Sequence, residues 1–193
     1  MVALRKERWT ATEFLAWTAR QSEKFELEGG HLVEMSAEQA KHALMKHAAA
    51  RALEDAVQSA KLNCSVFPDG MTVVVDDRHV RLPDAAIQCA PVDPESTVLD
   101  QPVVLVEVTS PSSADRDENL KLVEYFGISS VHHYLLLSPD QRLVVHFRRS
   151  DKPNQIETTI AYEGDLAIDP PGFTVAVEAL LGARAPASSQ SEK

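Results

Sequence analysis

Hydrophobic, mostly β-branched residues fill the stretch from Pro102 to Val108, and one carboxylate, Glu107, interrupts them. A short apolar run of this kind predicts a buried strand. Alternation along a strand places Val103, Leu105 and Thr109 on the same face as Glu107, and Val104, Val106 and Val108 on the other. Because an ionised side chain is costly to desolvate unless it is paired, hydrogen bonded or bound to a metal, Glu107 is a candidate functional residue.

Comparable patterns predict the other elements of the chain. Thr10 and Glu13 have the spacing of a capping box, and the Gly-Gly pair at 29–30 can take the positive φ angles of a tight hairpin turn. The predicted helices cover residues 10–21, 38–60 and 114–126, a hairpin covers 25–35, and strands cover 63–67, 71–76, 84–89, 103–109, 132–137, 142–149, 156–161 and 173–177. We expect one domain over residues 1–185 and a disordered tail over 186–193.

The strand over 84–89 and the strand over 103–109 are joined by an irregular loop centred near residues 95 and 96. If the two strands pair as an antiparallel hairpin, Asp84 falls opposite Glu107, because both lie at the same distance from the centre of the loop. Residues directly opposite each other on an antiparallel pair interact through their side chains. The sequence therefore predicts two converging carboxylates.

Two of the predicted helices carry polar residues at helical spacing. In the helix over 38–60, His42 and Lys46 share a face, and we interpret them as exposed helix residues, although a functional position is the alternative. In the helix over 114–126, Leu120, Val123 and Phe126 are expected to form the buried stripe, and Asp117, Lys121 and Tyr125 a polar ridge. A salt bridge between Asp117 and Lys121 on a helix surface is the plainer interpretation of that pair.

Composition narrows the class of protein without naming its chemistry. The 193 residues are 44% hydrophobic and 25% charged, with a net charge of -10, which is an ordinary globular balance and argues against non-specific nucleic-acid binding through overall charge. Basic residues of the central segments, among them Arg81 and Arg148, are interpreted as mostly solvated. The two cysteines, Cys64 and Cys89, have no metal-ligand spacing and are expected to be reduced core residues. No apolar run suits a membrane span or a signal peptide, so we expect a cytoplasmic protein.

The residues with the clearest chemistry are Asp84, Glu107 and Lys121, with Glu26 of the hairpin as a possible fourth member. Hard cations such as Mg²⁺ prefer oxygen ligands and accept a site of few carboxylates completed by water. A bound cation lowers the pKa of its water and neutralises charge on a phosphodiester, while a nearby ammonium orients the attacking water. The set is thus consistent with metal-assisted phosphodiester cleavage, although Asp84 alone would be an ordinary turn residue.

Several motifs, in order along most of the chain, resemble the Uma-two family of endonucleases. They are Phe25-Glu-Leu-Glu-Gly-Gly-His-Leu-Val-Glu34, His42, Arg81-Leu-Pro-Asp-Ala-Ala-Ile87, Val104-Leu-Val-Glu-Val-Thr-Ser-Pro-Ser112, the trio Asp117, Lys121 and Tyr125, and Gly127-Ile-Ser-Ser-Val-His-His-Tyr134 with Leu135-Leu-Leu-Ser-Pro139. The resemblance implies the restriction-endonuclease-like PD-(D/E)XK fold, an α/β (α+β) architecture with a central mixed β-sheet flanked by helices.

The same resemblance implies roles for individual residues. Asp84, Glu107 and the Val108 carbonyl would hold Mg²⁺ or Mn²⁺, Lys121 would be the catalytic lysine, and Glu26 an accessory acid. The lysine expected two residues after the glutamate is Thr109 here, so Lys121 would have to reach the site from its helix. Thr109, His42, Asp117 and Tyr125 are possible accessory residues.

We therefore expect a Mg²⁺-dependent endonuclease acting on DNA, working as a homodimer because a duplex has two strands. The alternative is a nuclease fold that binds a partner without catalysis, which the acidic balance favours. A small-molecule hydrolase is the least supported class, since neither a Gly-x-Ser-x-Gly elbow nor a Cys/His pairing is found.

Overall fold

The computed structural model describes residues 8–109 and 117–182. The helices of this part of the chain are α1 (Ala11–Thr18), α2 (Ala40–Ser59), α3 (Asp117–Gly127) and α4 (Val177–Leu181). The strands are β1 (Phe25–Glu28), β2 (His31–Glu34), β3 (Ser65–Pro68), β4 (Val73–Val74), β5 (Val80–Arg81), β6 (Ala85–Gln88), β7 (Pro102–Val108), β8 (His133–Ser138), β9 (Leu143–Arg149), β10 (Ile156–Ala161), β11 (Asp165–Ile168) and β12 (Phe173–Ala176).

The largest sheet has six strands in the order β10-β9-β8-β7-β6-β3. Its neighbours are antiparallel except β7 and β8, which run parallel, so the sheet is mixed. A four-stranded sheet of order β2-β1-β5-β4 and a β11-β12 hairpin stand beside it. This arrangement confirms the predicted α+β class with a central mixed sheet and flanking helices.

Local sequence signals account for the first elements. Thr10 and Glu13 form the predicted capping box at the start of α1, each side chain accepting a backbone N–H of the other. Gly29 and Gly30 have φ angles of 56° and 83° and turn the chain from β1 into β2. The buried stripe of α2 includes Met45, Ala49, Leu53 and Val57, which recur every four residues.

The six-stranded sheet carries a hydrophobic core on each face. On one face, α2 and α4 pack against side chains that include Val104 and Val106 of β7. On the other face, Tyr125 of α3 packs against Leu105 of the same strand. The alternation predicted for β7 is therefore observed at these positions, and the strand is enclosed between two layers of helix.

The prediction for the faces of α3 was wrong. Leu120 and Val123, expected to be buried, are 45% and 72% exposed, whereas Tyr125 is fully buried. The polar ridge turns toward the sheet because Lys121 and Tyr125 find a carboxylate partner there. Hydrogen bonds and opposite charge stabilise these groups in a buried position, so hydrophobicity alone misassigns the inner face.

The prediction for the cysteines was also wrong, because Cys64 and Cys89 form a disulfide bond. Antiparallel pairing of Ser65 with Gln88 brings the residues just beyond that pair together. Disulfides are rare in reducing compartments, so this bond lends no support to the expected cytoplasmic location.

Short elements were missed or misplaced. Strands β5 and β11 and helix α4 were not predicted, and the strand expected over 71–76 is limited to β4. Within the described residues, no helix combines the length and hydrophobicity needed to cross a membrane. The expected tail over 186–193 and the first residues of the predicted helix over 114–126 lie outside the described part of the chain.

Candidate functional site

Asp84 and Glu107 lie side by side where β6 begins and β7 ends. The β6–β7 register pairs Ala85 with Val106, so Asp84 falls opposite Glu107 as the loop position predicted. The Asp84 N–H donates to the Val106 carbonyl at 2.9 Å, and its Oδ2 accepts the Val108 N–H at 2.6 Å. Both carboxylate side chains are largely buried, at 7% and 12% exposure. The strand geometry therefore holds two acids together with little water around them.

Helix α3 brings a cation and a hydroxyl to Glu107. Lys121 Nζ lies 3.1 Å from Glu107 Oε1, and the Tyr125 hydroxyl donates to the same oxygen at 2.6 Å. Lys121 is thus within contact distance of Glu107, and it reaches this acid from helix α3 and not from position 109. Tyr125 is packed edge-on against the Tyr134 ring, which fixes its hydroxyl in place.

Glu26 joins the site, but its oxygens are already engaged. Oε1 accepts the Leu82 N–H at 3.1 Å and lies 3.4 Å from Lys121 Nζ, while Oε2 accepts from Arg81 Nη1 at 3.0 Å. Arg81 also forms a two-point pair with Glu124 of α3, at 2.7 Å and 3.0 Å. Arg81 is only 1% exposed, so it is an exception among the basic residues that were interpreted as mostly solvated.

Lys46 is a site residue that the sequence analysis placed on the surface. Its Nζ lies 2.7 Å from Asp84 Oδ1 and 3.0 Å from Glu38 Oε2, and its side chain is 15% exposed. The position of Lys46 could have identified it, because it lies one turn after His42, on the face of α2 that points toward the end of β7. Charged residues at this spacing resemble a surface pair, which is why periodicity alone did not identify it.

The remaining accessory residues differ in what they contact. His42 is 7% exposed rather than solvated, and its Nε2 lies 3.0 Å from the Thr109 carbonyl oxygen, to which it donates as the N–H tautomer. Thr109 itself donates its N–H to Leu137 at 2.8 Å. Asp117 begins α3, and its side chain lies outside the described parts of the structure. His42 therefore anchors α2 to the end of β7, beside the acid pair.

Burial dominates the electrostatics of the acid pair. Burial raises the pKa of Glu107 to about 7; Lys121 opposes the rise, and the charges of Asp84 and Glu26 add to it. Burial also raises the pKa of Asp84, against the effect of Lys46 and the Val108 N–H. The acid pair therefore carries negative charge that its basic neighbours do not fully balance, in a poorly hydrated part of the protein. Binding of an added cation there would be favourable.

Lys46 and Tyr125 keep their protons at neutral pH. Desolvation works against the charge of Lys46, but Asp84 and then Glu38 and Asp69 raise its pKa to about 12. Burial and the charge of Glu107 raise the pKa of Tyr125 well above its ordinary value. Both groups can therefore donate hydrogen bonds but cannot act as bases.

The acid pair fits a water-rich cation site rather than a closed protein cage. No group of three or more His, Cys, Asp or Glu residues is arranged to hold a metal ion within residues 8–109 and 117–182. Mg²⁺ keeps several waters and often takes only one or two carboxylates. The oxygen-only donor set of Asp84 and Glu107, with the raised pKa of Glu107, suits a hard divalent cation of this kind.

A mixed sheet whose adjacent strand ends hold two acids is what the resemblance to restriction-endonuclease-like nucleases implied, whereas the lysines beside these acids come from the flanking helices and not from the strand. The chain belongs to the Uma2 family, described as "Putative restriction endonuclease", whose model matches residues 11–181. This finding confirms the resemblance drawn from the motifs.

Similarity to individual proteins is remote in sequence but extensive. The fold is similar to the crystal structure of a putative nuclease belonging to DUF820 from Anabaena variabilis, with a TM-score of 0.65 and 19% identity, covering 89% of this chain and 97% of that one. The chain is also 23% identical over 170 residues to the uncharacterized protein slr1290 of Synechocystis sp., covering 87% of this chain and 88% of that protein. The structural likeness shows the fold.

Proposed function

We propose that the protein is a divalent-metal-dependent endonuclease that hydrolyses phosphodiester bonds of DNA, with Mg²⁺ as its cation and Mn²⁺ as a substitute. The observation that carries the proposal is the direct opposition of Asp84 and Glu107, with Lys121 3.1 Å from Glu107. Family membership supports a nuclease. The identity of the metal and of the nucleic acid is our inference from the chemistry of the donor set.

In this mechanism Asp84, Glu107 and the Val108 carbonyl would hold the cation. A cation bound there would lower the pKa of its water and neutralise the negative charge that develops on the phosphate. Lys121 positions the attacking water, and Tyr125 fixes the orientation of the Glu107 carboxylate through its hydroxyl. As the new bond from water to phosphorus forms, one ester P–O bond breaks, and the water proton is passed through solvent to the leaving oxygen.

Glu26 acts in this scheme as a positioning residue. Its contacts with Arg81, Leu82 and Lys121 use both carboxylate oxygens. A carboxylate held in this way is a poor candidate for a second metal but a good support for Lys121. Its role is therefore to keep the lysine ammonium beside Glu107.

We further propose that two copies pair along β10 to form a homodimer. β10 is an edge strand of the six-stranded sheet, and its residues Ile156 and Ile160 are 40% and 59% exposed. An antiparallel pair centred on Thr158 would place each Ile156 opposite Ile160 of the second copy. An open edge with exposed isoleucines offers unpaired backbone groups and apolar contacts for such pairing.

One observation favours the alternative of a binding module without catalysis. Each acid already has a lysine partner, Lys46 for Asp84 and Lys121 for Glu107, so the site is partly charge-compensated without metal. Metal binding separates the two functions, because catalysis requires Asp84 to accept a cation in place of Lys46, whereas a binding module has no such requirement.

The test is cleavage of plasmid, linear duplex and single-stranded DNA with Mg²⁺, with Mn²⁺ and with a chelator. Asp84→Ala is expected to lower the metal-dependent rate at least about 10²-fold, whereas Asp140→Ala, at an exposed acid on the turn before β9, is expected to cleave normally. Equal background from the wild-type protein and Asp84→Ala would exclude the nuclease assignment. DNA binding with neither metal binding nor cleavage would favour the binding module.

A further inference from the structure

Lys46 is a half-buried cation of the site that has no role in the mechanism above. It extends from α2, on the sheet face opposite α3, and its Nζ lies 2.7 Å from Asp84 Oδ1. Lys121 approaches Glu107 from α3. The two acids therefore lie between two ammonium groups that arrive from different layers of the fold.

Lys46 contacts the Asp84 oxygen to which a metal ion would bind. Oδ2 of Asp84 accepts the Val108 N–H at 2.6 Å, which leaves Oδ1 as the outward oxygen. Lys46 Nζ lies 2.7 Å from this Oδ1. The lysine and a cation bound to Asp84 thus compete for one oxygen, since two positive groups at the same position repel each other.

Two other carboxylates lie close to the Lys46 ammonium and can hold it when it moves away from Asp84. Glu38 Oε2 lies 3.0 Å from its Nζ, and Asp69 Oδ2 lies 3.9 Å away. A lysine side chain is flexible, with rotatable donors, and can shift its ammonium by a few ångströms without moving its helix. The ammonium would therefore stay at the rim of the acid pair.

We infer, on the basis of the proposed function, that Lys46 is a second catalytic cation: it neutralises Asp84 in the metal-free protein and contacts a non-bridging oxygen of the scissile phosphate once Asp84 holds a divalent ion. In this position it adds a second positive charge to that of Lys121. Lys46 forms no covalent bond and donates hydrogen bonds throughout. Its contribution is electrostatic stabilisation of the charge that grows on the phosphate during hydrolysis.

The experiment compares Lys46→Met with the wild-type protein in two measurements, Mg²⁺ binding by titration calorimetry and the rate of DNA cleavage. Removal of the competing ammonium is expected to tighten Mg²⁺ binding about fivefold while slowing cleavage about 10²-fold. Lys46→Arg, which keeps the charge, is expected to bind Mg²⁺ like the wild type. Lys41→Met is the matched control, because it removes a lysine charge from the same helix at a residue that pairs with Asp140.

The opposite signs of the two effects separate this role from a structural one. A lysine that merely supports the fold would weaken metal binding and cleavage together when replaced, and that result would overturn the inference, as would Lys46→Met cleaving at the wild-type rate. Thermal melting of Lys46→Met in the absence of metal shows whether this variant folds. If it does not fold, Lys46→Gln takes its place in both measurements. Wild-type protein that neither binds Mg²⁺ nor cleaves DNA would instead overturn the proposed function, and the inference with it.

Discussion

Arg81 holds Glu26 by a hydrogen bond of 3.0 Å between Nη1 and Oε2 in the interior of the protein. The same guanidinium binds Glu124 through two nitrogens, so one buried cation joins β1, β5 and α3. Because Glu26 also lies beside Lys121, the position of the lysine that we propose as catalytic depends on Arg81, which is only 1% exposed. The small four-stranded sheet is in this way part of the support of the site.

Arg81→Met is expected to lower the free energy of unfolding by about 3–5 kcal/mol, because it leaves buried carboxylates without their partner. Urea denaturation measures the change. Arg148→Met is the control: its pairing with Glu157 is exposed, and the expected loss is below about 1 kcal/mol. Similar stability of the two variants would show that the Arg81 cluster does not hold the fold together.

Tyr125→Phe is expected to slow cleavage about tenfold and to lower the free energy of unfolding by about 1 kcal/mol. The change removes the 2.6 Å hydrogen bond to Glu107 but keeps the ring that packs against Tyr134. Steady-state kinetics should show the loss in kcat rather than in KM, since in the proposed mechanism the hydroxyl orients Glu107. Tyr162→Phe, at a residue 63% exposed, is the matched control. A normal kcat in Tyr125→Phe would remove the tyrosine from the mechanism.

A pair of buried histidines outside the site is expected to make the fold sensitive to acid. His133 Nδ1 and His146 Nε2 lie 2.8 Å apart on β8 and β9. Burial lowers the pKa of both to about 4, from an ordinary value of 6.5; His146 adds to the effect on His133, and Arg148 to that on His146. The folded protein therefore binds fewer protons than the unfolded chain between pH 6.5 and 4, and stability is lost as pH falls through this window.

The free energy of unfolding is accordingly expected to fall by about 2–4 kcal/mol through the histidine pair between pH 7 and pH 5. His146→Gln should reduce this dependence, because it removes one titrating group and keeps a hydrogen-bonding side chain. Urea denaturation at pH 7, 6 and 5 measures it, with the exposed His31→Gln as control. An unchanged pH dependence in His146→Gln would assign the acid sensitivity to other groups.

Long-range strand pairing could be predicted from the sequence where chain geometry left few choices. Position counting across one loop gave the opposition of Asp84 and Glu107, and period-two alternation gave the faces of β7 at Val104, Leu105 and Val106. Both predictions rest on the two-residue repeat of a strand, because a shift of one residue would turn every side chain to the opposite face of the sheet. Short elements such as β5 and α4 have too few residues to show any periodicity.

The contacts of two charged residues could not be predicted in the same way. Lys46 on α2 and Arg81 on β5 have polar patterns typical of a surface, yet carboxylates from distant parts of the chain hold both largely inside the protein. The position of Lys121 beside Glu107 was expected from the family resemblance and not from periodicity. Hydrophobic periodicity measures the tendency to leave water, whereas these side chains are held inside by specific carboxylates. Only the three-dimensional structure shows which acids meet which bases.

The proposed pairing along β10 makes a last prediction. Ile160→Lys places a charge on the exposed face of the edge strand, where two copies would bring like charges close together, and is expected to convert a dimer into a monomer. Sedimentation equilibrium measures the mass, and Leu44→Lys, at a residue 62% exposed on α2, is the control that should stay dimeric. Because Ile160 is itself 59% exposed, the monomeric variant should still unfold in one cooperative transition, which thermal melting checks. A dimer that survives Ile160→Lys would place the interface elsewhere, and a monomeric wild-type protein would exclude the proposed homodimer.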